Sequence, residues 1–303
     1  MKMSTLATTG GELTTIEGTF SDLLKAAKTG SIIELGTRKL SQGENLLLGG
    51  RYIVFKKRNL FTKLVEDQRV SLGSHPTSGE CKDGPLGVVF RRRNKLYWIN
   101  PAGSEELIYS GPLADFKVGT SCVVASYAEQ FMQIRTDGSV LRIPGVHEFW
   151  EWGIASESDQ VVLQREKKFM LLKEDGAEVE IGEYNVATVL CARMTRWGMG
   201  LLHKASFSSL DTDGSKVDFG LIKRPGGIPL FGRFGFVDIH LHLHRRDYLH
   251  RDDDYFLIRP GGVEVSLGSH RSSFCGLWEH GLVFYEKSGR LYLVVVKEEE
   301  RSE

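Results

Sequence analysis

Apolar and polar positions along this chain follow one phrase, repeated. An apolar run is followed by a short polar turn, a second apolar run, a Gly-bearing turn, and a third run ending near Gly. The phrase reads VVFRRRNKLYWINPAGSEELIYSG from Val88, VVASYAEQFMQIRTDGSVLRIPG from Val123 and VVLQREKKFMLLKEDGAEVEIG from Val161. It returns as LLHKASFSSLDTDGSKVDFG from Leu201 and, lengthened, as HLHRRDYLHRDDDYFLIRPGGVEVSLG from His242. The runs are short and rich in Val, Ile, Leu, Phe and Tyr, and several alternate with polar residues, which predicts strands. Thr-Asp-Gly-Ser, Glu-Asp-Gly-Ala and Asp-Thr-Asp-Gly supply glycine where a hairpin demands positive φ.

The period is measurable. The turn glycines Gly103, Gly138, Gly176, Gly214 and Gly262 are separated by 35, 38, 38 and 48 residues. The hexapeptide VSLGSH stands at Val70 and again at Val265, 195 residues apart, which is five steps of 39. Between each third run and the next unit lies another candidate strand, such as FWEWGIAS from Phe149 or ATVLCARM from Ala187. Four strands in about 40 residues is the unit of a β-propeller blade. The repeat therefore predicts an all-β propeller of about seven four-stranded blades, with six or eight as alternatives. The last unit, GLVFYEKSGRLYLVVV, lacks an outer strand, and Glu12–Gly18 (ELTTIEG) is the candidate to supply it from the N-terminus. Such closure would remove an exposed sheet edge.

Residues 21–28, SDLLKAAK, fall outside the pattern and predict a short helix with Ser21 as N-cap and Gly30 as stop. The phrase SDLLKAAKTGSIIELG resembles the opening helix and first strand of pectate-lyase-like right-handed β-helices. That fold is the alternative architecture, but it implies rungs without regular Asp-Gly hairpins. LYWINPAG, from Leu96, resembles a strand of low-density-lipoprotein-receptor propellers and occurs once.

Length and charge narrow the picture only slightly. The 303 residues are read as one domain, 1–303, with the helix as an insertion. Basic and acidic residues are equal at 39 each, so bulk charge selects no partner. No run approaches the ~20 apolar residues of a membrane span, and the N-terminus has no signal-peptide core. Cys81, Cys122, Cys191 and Cys275 form no CxxC pair or zinc spacing. These features are read as a cytoplasmic protein in a reducing compartment.

No phosphate-binding loop, dinucleotide fingerprint or nucleophile elbow is present. One strand carries chemistry: FVDIHLHLH, from Phe236, places Asp238, His240, His242 and His244 on one face by alternation. Same-face imidazoles can chelate a divalent metal such as zinc. GFVDIHLHL resembles the first metal motif of amidohydrolases, which would make His240 and His242 ligands. About 60 residues follow, however, too few for the rest of that barrel. The alternative role for these histidines is a polar strand face, and no cofactor is otherwise expected. Asp211-Thr-Asp213-Gly214-Ser215 resembles the start of an EF-hand calcium loop, lacks its later ligands and reads as a hairpin turn.

Charge sorts by loop. Turns between second and third strands, on one rim, hold Lys56, Lys57, Arg58, then Arg91, Arg92, Arg93 and Lys95, then Arg165, Lys167 and Lys168, and finally Arg245, Arg246 and Arg251. Turns between third and fourth strands, on the other rim, hold Asp67, Glu105, Glu106, Asp137, Glu174, Asp175, Asp211 and Asp213. A basic rim attracts acidic protein segments or nucleic acid. The sequence thus reads as a non-catalytic scaffold for protein–protein interaction, binding a protein or other anionic partner through that rim. The alternative is a propeller enzyme acting on a small molecule or glycan, metal-dependent through the histidine strand.

Overall fold

The computed structural model describes residues 3–9, 12–36, 44–48, 50–65, 68–76, 80–155, 159–183, 189–195, 198–203, 206–221, 228–232, 235–240, 253–270, 272–286 and 290–297. They form six four-stranded antiparallel sheets and a seventh sheet of six strands. First strands of neighbouring sheets touch one another between blades 2 and 3, 4 and 5, and 5 and 6, so the first strands lie toward the axis and the fourth strands toward the perimeter of a β-propeller. Numbered along the chain, blades 1 to 6 occupy 44–74, 81–110, 115–142, 151–183, 189–221 and 228–270. Blade 7 combines 272–295 with Ile32–Gly36. Strands are called A to D from the axis outward.

The doubled apolar residues of the repeat explain the packing. In blade 2, Val88 and Phe90 join Val54, Phe61 and Leu72 of blade 1, while Val89 joins Phe116, Val123 and Met132 of blade 3. In blade 4, Val161 and Leu163 pack against blade 3, and Val162 packs against blade 5. Leu282 and Phe284 of blade 7 face blade 6, and Val283 faces blade 1. Successive strand residues point to opposite faces, and both faces are buried here, so neighbouring positions are both apolar. Each of the seven interfaces between blades has its own apolar cluster.

The two VSLGSH copies take equivalent places in the outer strands of blades 1 and 6. In each, the strand bulges and glycine adopts positive φ, 97° at Gly73 and 92° at Gly268. The Ser71 and Ser266 hydroxyls accept the amides of those glycines at 3.1 and 3.3 Å. The internal repeat is therefore a repeated bulge.

Closure from the N-terminus occurs through a different strand than expected. Ile32–Gly36 pairs with Leu291–Val295 and completes blade 7. Glu12–Gly18 pairs with Met3–Thr9, which borders Ile32–Gly36, so the two add a hairpin outside the closing strand. The reason lies in spacing. Ile33 and Leu35 share one strand face and are buried in the cluster joining blades 7 and 1. Leu13 and Ile16 in ELTTIEG fall on opposite faces and cannot fill that role together.

The helix spans Phe20–Ala26, with Thr19 in place of Ser21 as N-cap. Thr19 Oγ1 accepts the Asp22 amide at 3.2 Å and donates to Asp22 Oδ2 at 2.6 Å. Leu23 enters the closing cluster, and Phe20 stacks on Trp278 at 5.8 Å between centroids. Trp278 Nε1 donates to the Gly50 carbonyl at 3.0 Å, tying blade 7 to blade 1.

A chain beginning at Thr19 is expected to melt within about 3 °C of the intact protein, a difference of roughly 1 kcal/mol. A chain beginning after Gly36 loses the closing strand and should melt far lower and aggregate. Calorimetry on both truncations checks this, and equal melting of the two would contradict the closure described.

Candidate interaction faces

The turns between strands B and C, together with the connections from D to the next A, emerge on one face of the disc. Among the seven predicted basic-rim residues, Lys57, Arg58, Arg93 and Lys95 are exposed, and Lys56, Arg91 and Arg92 are half-buried. Arg58 and Arg93 stand at equivalent positions of the two turns, with φ of 52° and 57°. A side chain with Cβ costs about 1–2 kcal/mol in that conformation, which glycine adopts freely. Blades 3 and 4 use Ala128 and Glu166 at the same kind of turn, with φ of 47° and 48°.

The seven cations do not act alike. The Arg92 guanidinium lies 4.4 Å from the Tyr97 centroid and bridges to Glu105 at 3.1 Å. Glu105 also meets His75 Nδ1 at 3.1 Å, and His75 Nε2 sits 2.7 Å from the Leu72 carbonyl. His75 belongs to the end of blade 1, so this cluster clasps blade 1 to blade 2. It recurs two blades on. Arg165 Nη2 meets Glu178 at 2.9 Å, Glu178 meets His147 Nδ1 at 2.8 Å, and His147 Nε2 meets the Pro144 carbonyl at 2.9 Å. Arg92 and Arg165 are therefore parts of inter-blade clasps. Arg91 donates to the Arg93 and Ala114 carbonyls at 2.9 and 3.3 Å, and Lys56 lies 6.0 Å from the Phe61 ring centre. Lys57, Arg58, Arg93 and Lys95 form no ion pair among the described residues.

Apolar side chains that the repeat reading missed share this face. Trp150 is 69% exposed and Val146 63%, both in the connection between blades 3 and 4. Tyr127, at the edge of the blade 3 turn, is 46% exposed. Their sequence signal was weak, since aromatics in a propeller are more often core.

On the opposite face the acidic residues serve local turns. Asp137, Asp175 and Asp213 each accept the amide two residues on, at 2.8, 2.9 and 2.7 Å. Hydrogen bonds from Ser139 and Ser215 hold the Asp137 and Asp213 carboxyls below their ordinary range. The turn at Asp211–Ser215 is thus closed by its own side chains. Asp159 is buried and gathers the Thr120 and Ser121 amides at 2.6 Å each, with the Ser121 hydroxyl at 2.8 Å, joining blade 4 to blade 3.

Along the inner strands, charges are mutually engaged. Lys82 Nζ meets Asp115 at 2.5 Å and Glu80 at 2.8 Å. Burial pulls the Lys117 ammonium below its ordinary value against the opposing pull of Asp115, and it lies 5.0 Å from the Trp152 ring centre. Burial pushes the Cys81 thiol up to about 11 and Cys122 up to about 12, so neither is a ready nucleophile.

Asp238 and His240 lie in the strand Gly235–His240, two residues apart. Their side chains, and His242 and His244 entirely, fall outside the described residues. Among the described residues no three His, Cys, Asp or Glu side chains gather closely enough to hold a metal, and no helix is long and apolar enough to cross a membrane.

No protein-family profile matches the chain, and no curated protein matches it in sequence. Solved structures do resemble it in shape. Kluyveromyces lactis Hsv2 shares 13% identity, with 80% of this chain and 90% of that chain covered and a TM-score of 0.47. BBS1N, solved in complex with ARL6DN, shares 12%, with 80% and 86% covered and a TM-score of 0.45. BamB from Moraxella catarrhalis shares 9%, with 85% and 98% covered and a TM-score of 0.43. At such identities the likeness concerns architecture alone.

The Glu178 clasp carries a pH dependence. Burial works against ionisation of Glu178, but the hydrogen bonds and charges of His147 and Arg165 together outweigh it and lower its pKa. A depressed carboxylate stabilises the fold above its unfolded value, ~4.3, and that contribution disappears as pH falls through the folded value. Glu178→Gln should therefore be less stable than the parent at neutral pH, with the gap closing on acidification below pH ~4. Urea denaturation across that range measures it; a gap that widens in acid would contradict the assignment.

Proposed function

We propose that this protein is a non-catalytic scaffold that captures an acidic segment of a partner protein on the face carrying the B–C turns of blades 1 and 2. The observation that carries this reading is the contrast in charge use. The acidic turn residues Asp137, Asp175 and Asp213 are engaged by neighbouring amides, and Arg92 and Arg165 are engaged in clasps, whereas Lys57, Arg58, Arg93 and Lys95 have no carboxylate partner among the described residues. Like charges gathered at exposed tips oppose one another, and an anionic partner relieves that repulsion. Exposed Trp150 and Tyr127 on the same face favour a protein over a nucleic-acid backbone, since aromatic and basic residues together are typical of the centre of protein interfaces.

The test uses immobilised Asp/Glu-rich peptides with embedded aliphatic residues, and duplex DNA of equal charge as the competing probe. Retention on the peptides should fall steeply with salt. It should be abolished by combined Lys57→Glu, Arg58→Glu, Arg93→Glu and Lys95→Glu, with melting unchanged. Arg92 is left intact because its replacement would break a clasp. Retention of the charge-reversed protein would overturn the reading, and stronger retention on DNA would redirect it to nucleic acid.

A second measurement separates function from stability. Arg58→Gly and Arg93→Gly relax positive-φ backbone and should raise stability by up to about 1 kcal/mol each. The same changes should weaken peptide retention. A variant that gains stability with unchanged retention would show the arginines to be dispensable.

A further inference from the structure

The opposite face carries a cleft between blades 1 and 2, of about 260 Å³. Its floor is apolar and buried: Val54, Leu72, Val88 and Ile99 are each no more than 5% exposed. Leu86, Pro85 and Pro101 contribute apolar walls. Two cations, Arg51 and Lys63, and one carboxylate, Asp83, line it, which leaves an excess of positive charge on the face whose turns are rich in acid. Lys63 Nζ donates to the Pro101 carbonyl at 2.9 Å and lies 4.8 Å from the centre of the Tyr52 ring. A carbonyl and a ring thus fix the ammonium in place without neutralising it. Arg51 stands exposed beside them, and neither cation is paired with a carboxylate among the described residues. Of the acidic groups nearby, Asp83 accepts the Gly50 amide at 3.1 Å and Glu106 accepts from the Asn100 side chain at 2.6 Å.

Size and charge select an occupant. At ~30 Å³ per water the cleft has room for roughly nine waters, just under the ~300 Å³ at which small-molecule sites begin. That volume takes a large apolar side chain together with part of the residue beside it, the anchor-in-pocket arrangement of protein interfaces. Two cations and an exposed tyrosine, 43% accessible, at the rim suit an acidic residue next to that anchor. We propose that this cleft is a second docking site, taking a partner segment in which a Leu-sized side chain is flanked by Asp or Glu.

The site is independent of the basic turns on the other face, so its test does not depend on them. The probe is the capped peptide Ser-Asp-Leu-Glu-Ser, titrated into methyl-labelled protein by NMR. Saturable shifts are expected at the Val54, Val88 and Ile99 methyls, with affinity of roughly millimolar order. Replacing the peptide's Leu by Gly, or its acids by Lys, should weaken binding about tenfold or more. So should Arg51→Glu with Lys63→Glu, both surface changes that leave the floor untouched; Tyr52→Ala provides a third, milder loss. Absence of saturable shifts, or equal binding of the Lys-containing peptide, would overturn the proposal. Isovalerate binding as tightly as the peptide would also overturn it, by showing a small-carboxylate site in place of a docking site.

Discussion

Each blade of this molecule is apolar on both faces, and that constraint governs everything else. A sheet such as blade 2, with Val88 and Phe90 on one side and Val89 on the other, exposes core on whichever face lacks a neighbour. A linear stack would leave two such faces open, and a ring leaves none. The interface between blades 7 and 1 is therefore the critical one. It is built from Ile33, Leu35, Leu48, Ile53, Phe55 and Val283, with the short helix adding Leu23. The helix has a purpose in this arrangement: it carries the chain from the outer hairpin to the closing strand and packs Leu23 and Phe20 against the seam.

Polar interactions then refine what the apolar seams begin. The Arg92–Glu105–His75 and Arg165–Glu178–His147 clasps join alternate pairs of blades with the same geometry. In both, the two imidazole nitrogens face oxygen atoms, a carboxylate on one side and a backbone carbonyl on the other. Close turns reinforce the seams. A Cβ on Gly103 would lie 2.9 Å from the Leu72 carbonyl oxygen, so the blade 2 turn reaches the outer strand of blade 1 only because glycine is there. One consequence concerns function: cations at strand ends divide into those that hold blades together and those left facing solvent.

That division was invisible in the one-dimensional pattern. Arg91, Arg92 and Arg93 are consecutive and identical in type, yet one bonds to backbone carbonyls, one clasps a neighbouring blade and one stands exposed. The separation depends on where Glu105 and Tyr97 come to rest, through the strand pairing of blade 2 and the packing of His75 from blade 1. The cleft was equally hidden, because Lys63 and Arg51 of blade 1 come to face Pro101 and Ile99 of blade 2 only through the packing of the two blades. Exposed Trp150 could not be told from core aromatics by spacing alone.

By itself the sequence determined the unit and its repetition. Doubled apolar residues, hairpin glycines and the duplicated VSLGSH are local properties, since strand alternation and turn conformation act over a few residues. Even the need for closure from the N-terminus could be read, because an incomplete last unit leaves an unpaired edge. Which strand closes the ring was decided by tertiary structure. Glu12–Gly18 and Ile32–Gly36 both have strand-like sequences, and only the second presents Ile33 and Leu35 together on the face that blade 1 covers. Ring closure joins residues distant along the chain, as with Trp278 and Gly50 across the seam or Ile33 and Leu293 within blade 7, and no periodicity within the chain encodes it.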